Sequence, residues 1–432
     1  MSETKQPSRR EFLKGSTAAL ASTALVGGLS IARTAHAAGG DEIKIALVGC
    51  GGRGTGAAVN CLSVEDNLKL VAVADAFEDR AKAALQQLQT RFGGKVDVPE
   101  ERVFVGFDAY RGAIDSGADL VLLVTPPGFR PMQYKAAVEA GKHVFMEKPV
   151  CVDAPGFRSV METNRAADQK NLKVAVGLNS RHTPPCVETV KRVHDGAVGE
   201  ILFERAYGNN PGVWVRPRTP AQTEMEYQMR NWYYFVWLCG DLIVEQHVHL
   251  IDLANWLKQD HPVEANGMGG REVRKGKDHG QIFDHHFVEY TYADGSKMFS
   301  QCRHIAGCAN RAGTFAHGPD GVAATNGTIS GKRPWQYTGP KVSGHQQEHV
   351  DLIEALRKDL KYNEGWFGAT SSMTAVLGRM ATYSGKVVAW DEAVEKGPDE
   401  MPKALAFSAE PPVLPDAGGN YPVPVPGVYQ PY

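Results

Sequence analysis

Ile43-Lys44-Ile45-Ala46-Leu47-Val48 runs without a break into Gly49-Cys50-Gly51-Gly52-Arg53-Gly54. The apolar hexad reads as a buried strand, and the glycines form a GxGxxG turn that opens a helix, the pattern of a dinucleotide site. The next apolar run, 68–74, ends at Asp75, 21 residues beyond Gly54. A carboxylate at that place accepts hydrogen bonds from ribose hydroxyls and repels a 2′-phosphate. With no Arg or Lys adjacent to it, NAD is favoured over NADP.

Outward from this stretch, short apolar runs near 43–48, 68–75, 103–105, 119–125, 142–146 and 173–177 alternate with amphipathic segments. Such alternation predicts βαβ units and a parallel sheet, hence an α/β chain with a Rossmann domain over 41–178. The fourth run ends in Thr125-Pro126-Pro127 and the fifth leads into Glu147-Lys148-Pro149. Strand ends at the carboxyl edge of such a sheet face the ligand crevice, so Lys148 is expected beside the nicotinamide and the reacting carbon. Its ammonium would hold a substrate hydroxyl and stabilise a developing oxyanion.

In front of the first strand, Ser8-Arg9-Arg10-Glu11-Phe12-Leu13-Lys14 precedes a small-residue apolar run, and Ala35-His36-Ala37 supplies a small-x-small cleavage pattern. Residues 1–37 are therefore expected to be a twin-arginine signal peptide, read by the twin-arginine translocation machinery and sending the protein to the periplasm or beyond. That route carries folded proteins, and a periplasm has no obvious pool of free NAD. The cofactor is thus expected to be tightly bound, and to be reduced and reoxidised in place.

Composition narrows the partners. The chain is 43% hydrophobic and 22% charged, with a formal charge of -2 and no long basic run, which argues against nucleic acid. Past the signal, no stretch is apolar enough to span a bilayer. The seven cysteines show no CxxC spacing, so no metal or iron–sulfur framework is expected, although Cys302 and Cys308 could pair after export.

Taken together, GxGxxG, Asp75, Thr125-Pro126, Ala140-Gly141-Lys142-His143-Val144 and Glu147-Lys148-Pro149 resemble the Gfo/Idh/MocA oxidoreductases. The resemblance covers about 43–395. It implies a Rossmann domain followed, over 179–395, by a substrate and oligomerisation domain with an open, largely antiparallel sheet, and a homo-oligomer. It further implies sugar or polyol substrates and cofactor contacts from Gly49, Gly51, Gly52, Arg53, Gly54, Asp75, Thr125, Pro126, Glu147, Lys148 and Asn179. One departure stands out: Arg130 occupies a position where His is common, which predicts altered contacts near the nicotinamide.

Asn179-Ser180-Arg181-His182 resembles the family's turn in which Asn or Arg nears cofactor and substrate, and the last helix of this half is expected to pack back on the core. The aromatic run Trp232-Tyr233-Tyr234-Phe235 is either a saccharide wall or core. Gly240–Leu253 resembles the family's catalytic helix, with His249 as general base and Glu245 in place of an Asp, both on one helical face. His247 lies two residues off that face, as a structural or substrate-side group.

His345-Gln346-Gln347-Glu348-His349 matches a zinc-peptidase pattern that would leave the nucleotide half unexplained. Asp284-His285-His286 could join Glu245 and His247 around a metal, but reads better as a polar strand entry. A Pro-rich C-terminal tail, 396–432, is expected to wrap a neighbour or stay mobile.

These residues favour an exported NAD-dependent oxidoreductase acting on a sugar or polyol. Two alternatives stay open. One is an NAD-dependent glycoside hydrolase or lyase working by oxidation, elimination and re-reduction; the other is a catalytically inactive NAD-bound binding protein.

Overall fold

The structure, a computed structural model, describes residues 41–432; the predicted signal at 1–37 lies outside the described residues. Six parallel strands form the first sheet: β1 Ile43–Val48, β2 Leu68–Asp75, β3 Val103–Val105, β4 Leu120–Leu123, β5 His143–Met146 and β6 Val174–Val176. Their order is β3-β2-β1-β4-β5-β6, with the switch point between β1 and β4. Apart from the edge strand β3, the strand centres are buried on both faces, which is why they read as continuous apolar runs.

The second sheet has nine strands, in the order β14-β13-β12-β11-β7-β10-β9-β8-β15. Its members are β7 Phe203–Asn210, β8 Glu264–Gly270, β9 His285–Thr291, β10 Lys297–His304, β11 Arg311–Gly318, β12 Gly321–Ala324, β13 Thr328–Gly331, β14 Trp335–Gln336 and β15 Val388–Ala389. All pairings are antiparallel except β7 with β10. One face packs on helices Val248–Lys258 and Gly365–Ser384. The other carries Phe203, Phe287, Phe299 and Phe315, and none of them is buried.

The chain returns to the Rossmann half after this sheet. Helix Gly344–Arg357 places Leu352, Ile353 and Leu356 in the same apolar cluster as β1 and helix Gly52–Leu62. Helix Gly365–Ser384 packs against helix Ala154–Gln169 as well as on the second sheet.

Two expectations are corrected here. The C-terminal tail lacks regular structure yet lies on its own chain, with Tyr421 buried and Met401, Phe407 and Val413 packed against the core. Cys302 and Cys308 do not pair; Cys302 is buried on β10 and Cys308 is exposed.

Candidate active site

One cavity of about 490 Å³ runs over the carboxyl ends of β1, β2, β4 and β5. Gly49, Gly51, Gly52, Arg53 and Gly54 form its floor. Gly49 has φ +96°, and a Cβ there would lie 2.5 Å from the Thr125 nitrogen. A Cβ on Gly54 would sit 1.8 Å from the Gly49 oxygen, so this position must be bare for the helix to meet the strand. Above Gly52 a Cβ would meet nothing within 4 Å. The loop thus leaves open space before the N-terminus of helix Gly52–Leu62, where backbone N–H groups and the helix dipole suit a diphosphate. These features fit a dinucleotide.

Asp75 ends β2 and accepts from Cys50 N at 2.7 Å and Phe77 N at 2.9 Å. Burial raises its carboxyl above the usual range, opposed by those two N–H groups. The carboxylate therefore also braces the glycine loop. Arg80, five residues along the chain from Asp75, also lines the cavity near it.

At the other end, Arg130 is buried and donates to Glu147 O at 3.1 Å and Thr125 O at 2.5 Å, tying together the ends of β4 and β5. Burial pulls its guanidinium down to about 10. Arg53 Nε pairs with Glu147 Oε1 at 2.6 Å. Thr125 donates from Oγ1 to Gln133 Oε1 at 2.6 Å, and Pro126 lines the cavity beside it. Asn179 lies outside the lining but donates from Nδ2 to His345 Nε2 at 2.7 Å, and His345 does face the cavity.

Lys148, Glu245 and His249 converge on this end of the cavity. Lys148 Nζ donates to Glu245 O at 2.7 Å and pairs with Glu245 Oε1 at 3.0 Å. The predicted single helix is broken: one turn, Leu242–Glu245, is followed by helix Val248–Lys258. Glu245 therefore supports Lys148, not His249 as the one-face reading had it. The break follows from His247, whose Nε2 bonds Ser300 Oγ on β10 at 2.8 Å and whose ring fills the space left by Gly208.

Burial and the neighbouring Lys148 ammonium drive the His249 imidazole well below its usual range. It is neutral at neutral pH, and its Nδ1 has no hydrogen-bond partner. A neutral imidazole beside a fixed ammonium is the pair needed to deprotonate a hydroxyl while holding its oxygen.

Three of the four substrate-side residues lie outside the cavity lining. Arg181 is bound bidentate to Asp252 at 2.8 and 2.9 Å and stacks over Phe367, away from the cavity. His247 is locked in the sheet, and Tyr233 is buried behind the cavity wall, with Glu245 next to its hydroxyl. Trp232 alone of the four lines the cavity, edge-on to Trp214 at 5.8 Å. Trp214 and Arg216, also in the lining, were missed because their stretch has no periodicity; His345 was hidden in the peptidase-like pattern.

Residues of both His clusters have partners within the fold. Asp284 Oδ2 accepts from the backbone of Glu272, Val273 and Arg274, and His286 bonds Thr382 and Asp241. The His349 ring packs at a tilt against Phe145, centroids 4.2 Å apart. Among the described residues, no group of three or more His, Cys, Asp or Glu side chains is placed to hold a metal ion.

Residues 43–178 match the model of the oxidoreductase family GFO_IDH_MocA, NAD-binding Rossmann fold. The scyllo-inositol 2-dehydrogenase (NAD(+)) of Bacillus subtilis is 23% identical over 298 residues, 67% of this chain and 73% of that protein. The inositol 2-dehydrogenase of Rhizobium meliloti is 28% identical over 225 residues, 52% of this chain and 57% of that protein. In fold, the chain is similar to apo scyllo-inositol dehydrogenase from Lactobacillus casei (TM-score 0.63, 18% identity, 81% of this chain and 99% of that one). It is equally similar to a levoglucosan dehydrogenase solved with NADH and levoglucosan (TM-score 0.63, 18% identity, 81% and 99%). With the glycine loop, Asp75 and Lys148 arranged as above, residues 43–178 form an NAD-binding Rossmann domain of the Gfo/Idh/MocA oxidoreductase type, and the chain is an NAD(P)-dependent oxidoreductase.

Proposed function

We propose that the protein is an exported oxidoreductase that moves hydride between a sugar or polyol hydroxyl and tightly held NAD. The observation that carries this reading is the convergence of Lys148 and neutral His249 on the cavity that also holds the glycine loop and Asp75. Bound NAD supplies a hydride acceptor. Lys148 Nζ, fixed by Glu245, holds the substrate oxygen; His249 takes the hydroxyl proton as the carbon gives up hydride, leaving a carbonyl. Trp214 and Trp232 offer aromatic surface to the CH face of a ring, beside Arg216 for hydroxyls. The relatives named as inositol dehydrogenases, and the neighbour solved with an anhydrosugar, support a polyol or sugar as substrate.

The uncovered face of the second sheet supports a homo-oligomer. Met268 and Phe287 pair across β8 and β9 on that face and are 73% and 37% exposed. Light scattering of the purified protein should give a mass of at least two chains; a monomer at micromolar concentration would contradict this.

Purified mature protein, mixed with free sugars, polyols and chromogenic glycosides, tests the activity. Absorbance near 340 nm that appears with a free sugar or polyol and is discharged by a second carbonyl compound supports the oxidoreductase. Aglycone release without net NADH replaces it with the redox-neutral glycosidase, and nucleotide binding without any turnover replaces it with a binding protein. Cell fractionation tests export: activity confined to the cytoplasm contradicts it.

A further inference from the structure

The C-terminal segment packs against two residues that line the cavity on the β2 and β3 side of the sheet. Phe77 and Phe107 follow β2 and β3, on the adenosine side of the switch point, and both line the cavity. The Phe407 ring lies 5.3 Å from that of Phe77 and 4.9 Å from that of Phe107. Its carbonyl accepts from Thr223 Oγ1 at 2.8 Å, and Thr223 caps helix Glu224–Arg230 of the second domain.

The segment is anchored on both sides of this contact. Before it, Glu400 pairs with Arg379 at 3.1 Å, and its N–H donates to Asp153 at 3.0 Å. After it, Val413 O accepts from Gln228 Nε2 at 2.7 Å, and Tyr421 packs on Phe235 at 4.9 Å while its hydroxyl bonds Glu224. A second bridge runs beside the first. Arg230 donates to both Asp79 oxygens, at 3.1 and 3.2 Å, and covers Phe77 at 4.0 Å, joining the second domain to the helix that follows β2.

Resting on the reading of this cavity as the dinucleotide site, we propose that Phe407 and its anchored segment, with the Arg230–Asp79 bridge, form a strap that retains the dinucleotide between turnovers. The dinucleotide cannot leave from the adenosine end until the aromatic cluster parts and the domains separate at helix Glu224–Arg230. A strap made by the chain itself matches the need of an exported enzyme to keep its cofactor.

The test uses full-length protein loaded with NADH and measures release into excess NAD by the loss of nucleotide fluorescence. Phe407→Ala and, independently, Arg230→Gln should each speed release at least tenfold, with Phe407→Leu in between. The substrate KM of the loaded enzyme should stay unchanged. If Phe407→Ala fails to fold, Arg230→Gln carries the test, because its side chain is partly exposed. Release within twofold of the parent rate in the folded variants would overturn the strap alone. A parent protein that neither contains nor binds NADH would overturn the nucleotide-site reading, and the strap with it.

Discussion

Replacing Lys148 by Met separates what the ammonium does for folding from what it does for the reaction. Lys148 and Glu245 side chains are 12% and 11% exposed, and Nζ lies 3.0 Å from Oε1. At an effective dielectric of about 20, that separation gives roughly 5 kcal/mol of gross attraction, most of it offset by desolvation. Lys148→Met leaves the Glu245 carboxylate facing an apolar chain, and its Oε2 already lacks a partner. Loss of one member of a buried pair costs about 3 kcal/mol. In Lys148→Met/Glu245→Gln the stranded charge is gone, so about 2 kcal/mol should return as coupling energy. Activity should not return with it. Without Nζ to hold the oxygen, kcat/KM should fall about 10²- to 10³-fold in the single and double variants alike. Urea unfolding reports the first quantity and steady-state turnover with saturating NAD the second. The reasoning is refuted if Lys148→Met loses less than 1 kcal/mol, or if the double variant regains kcat/KM together with stability.

Arg181→Ala should cost about 3 kcal/mol by stranding Asp252 while leaving substrate KM within twofold; a large KM effect would restore Arg181 to the substrate site. Asp75→Ala should weaken NAD and, with Arg80 still in the cavity, raise the NADP to NAD affinity ratio at least tenfold, as calorimetric titration would show. Gly54→Ala should abolish nucleotide binding because of the Cβ clash with Gly49; wild-type affinity in that variant would contradict the loop geometry. His304 is buried and held down to about 4, so its folded pKa lies below the unfolded value of about 6.5. The unfolded state then binds the extra proton, and stability falls as pH drops through 6.5 toward 4. Between pH 7 and pH 5, His304→Asn should lose about 2 kcal/mol less than the parent; equal losses in both would rule this out.

The Rossmann half was legible because its signals are local. A strand buried on both faces is a short apolar run, a diphosphate loop needs glycines at fixed spacing, and the end of β2 lies a fixed distance along the chain; these placed the six strands, Asp75 and Lys148 within a residue or two. Lys148, Glu245 and His249 do share one cavity, as the resemblance implied. How they pair was not legible, since it depends on groups far apart in sequence. His247 is drawn onto Ser300, 53 residues away, which breaks the helix and leaves Glu245 facing Lys148. Arg181 looked like a ligand group until the fold brought Asp252 to it, and Phe407 looked like part of a loose tail until it met Phe77 and Phe107. Sequence by itself therefore determined the elements, the cofactor loop and the chemistry available. Only the tertiary structure decided which charges neutralise one another and which aromatic rings pack together, because partner choice is set by contacts that form after the elements pack.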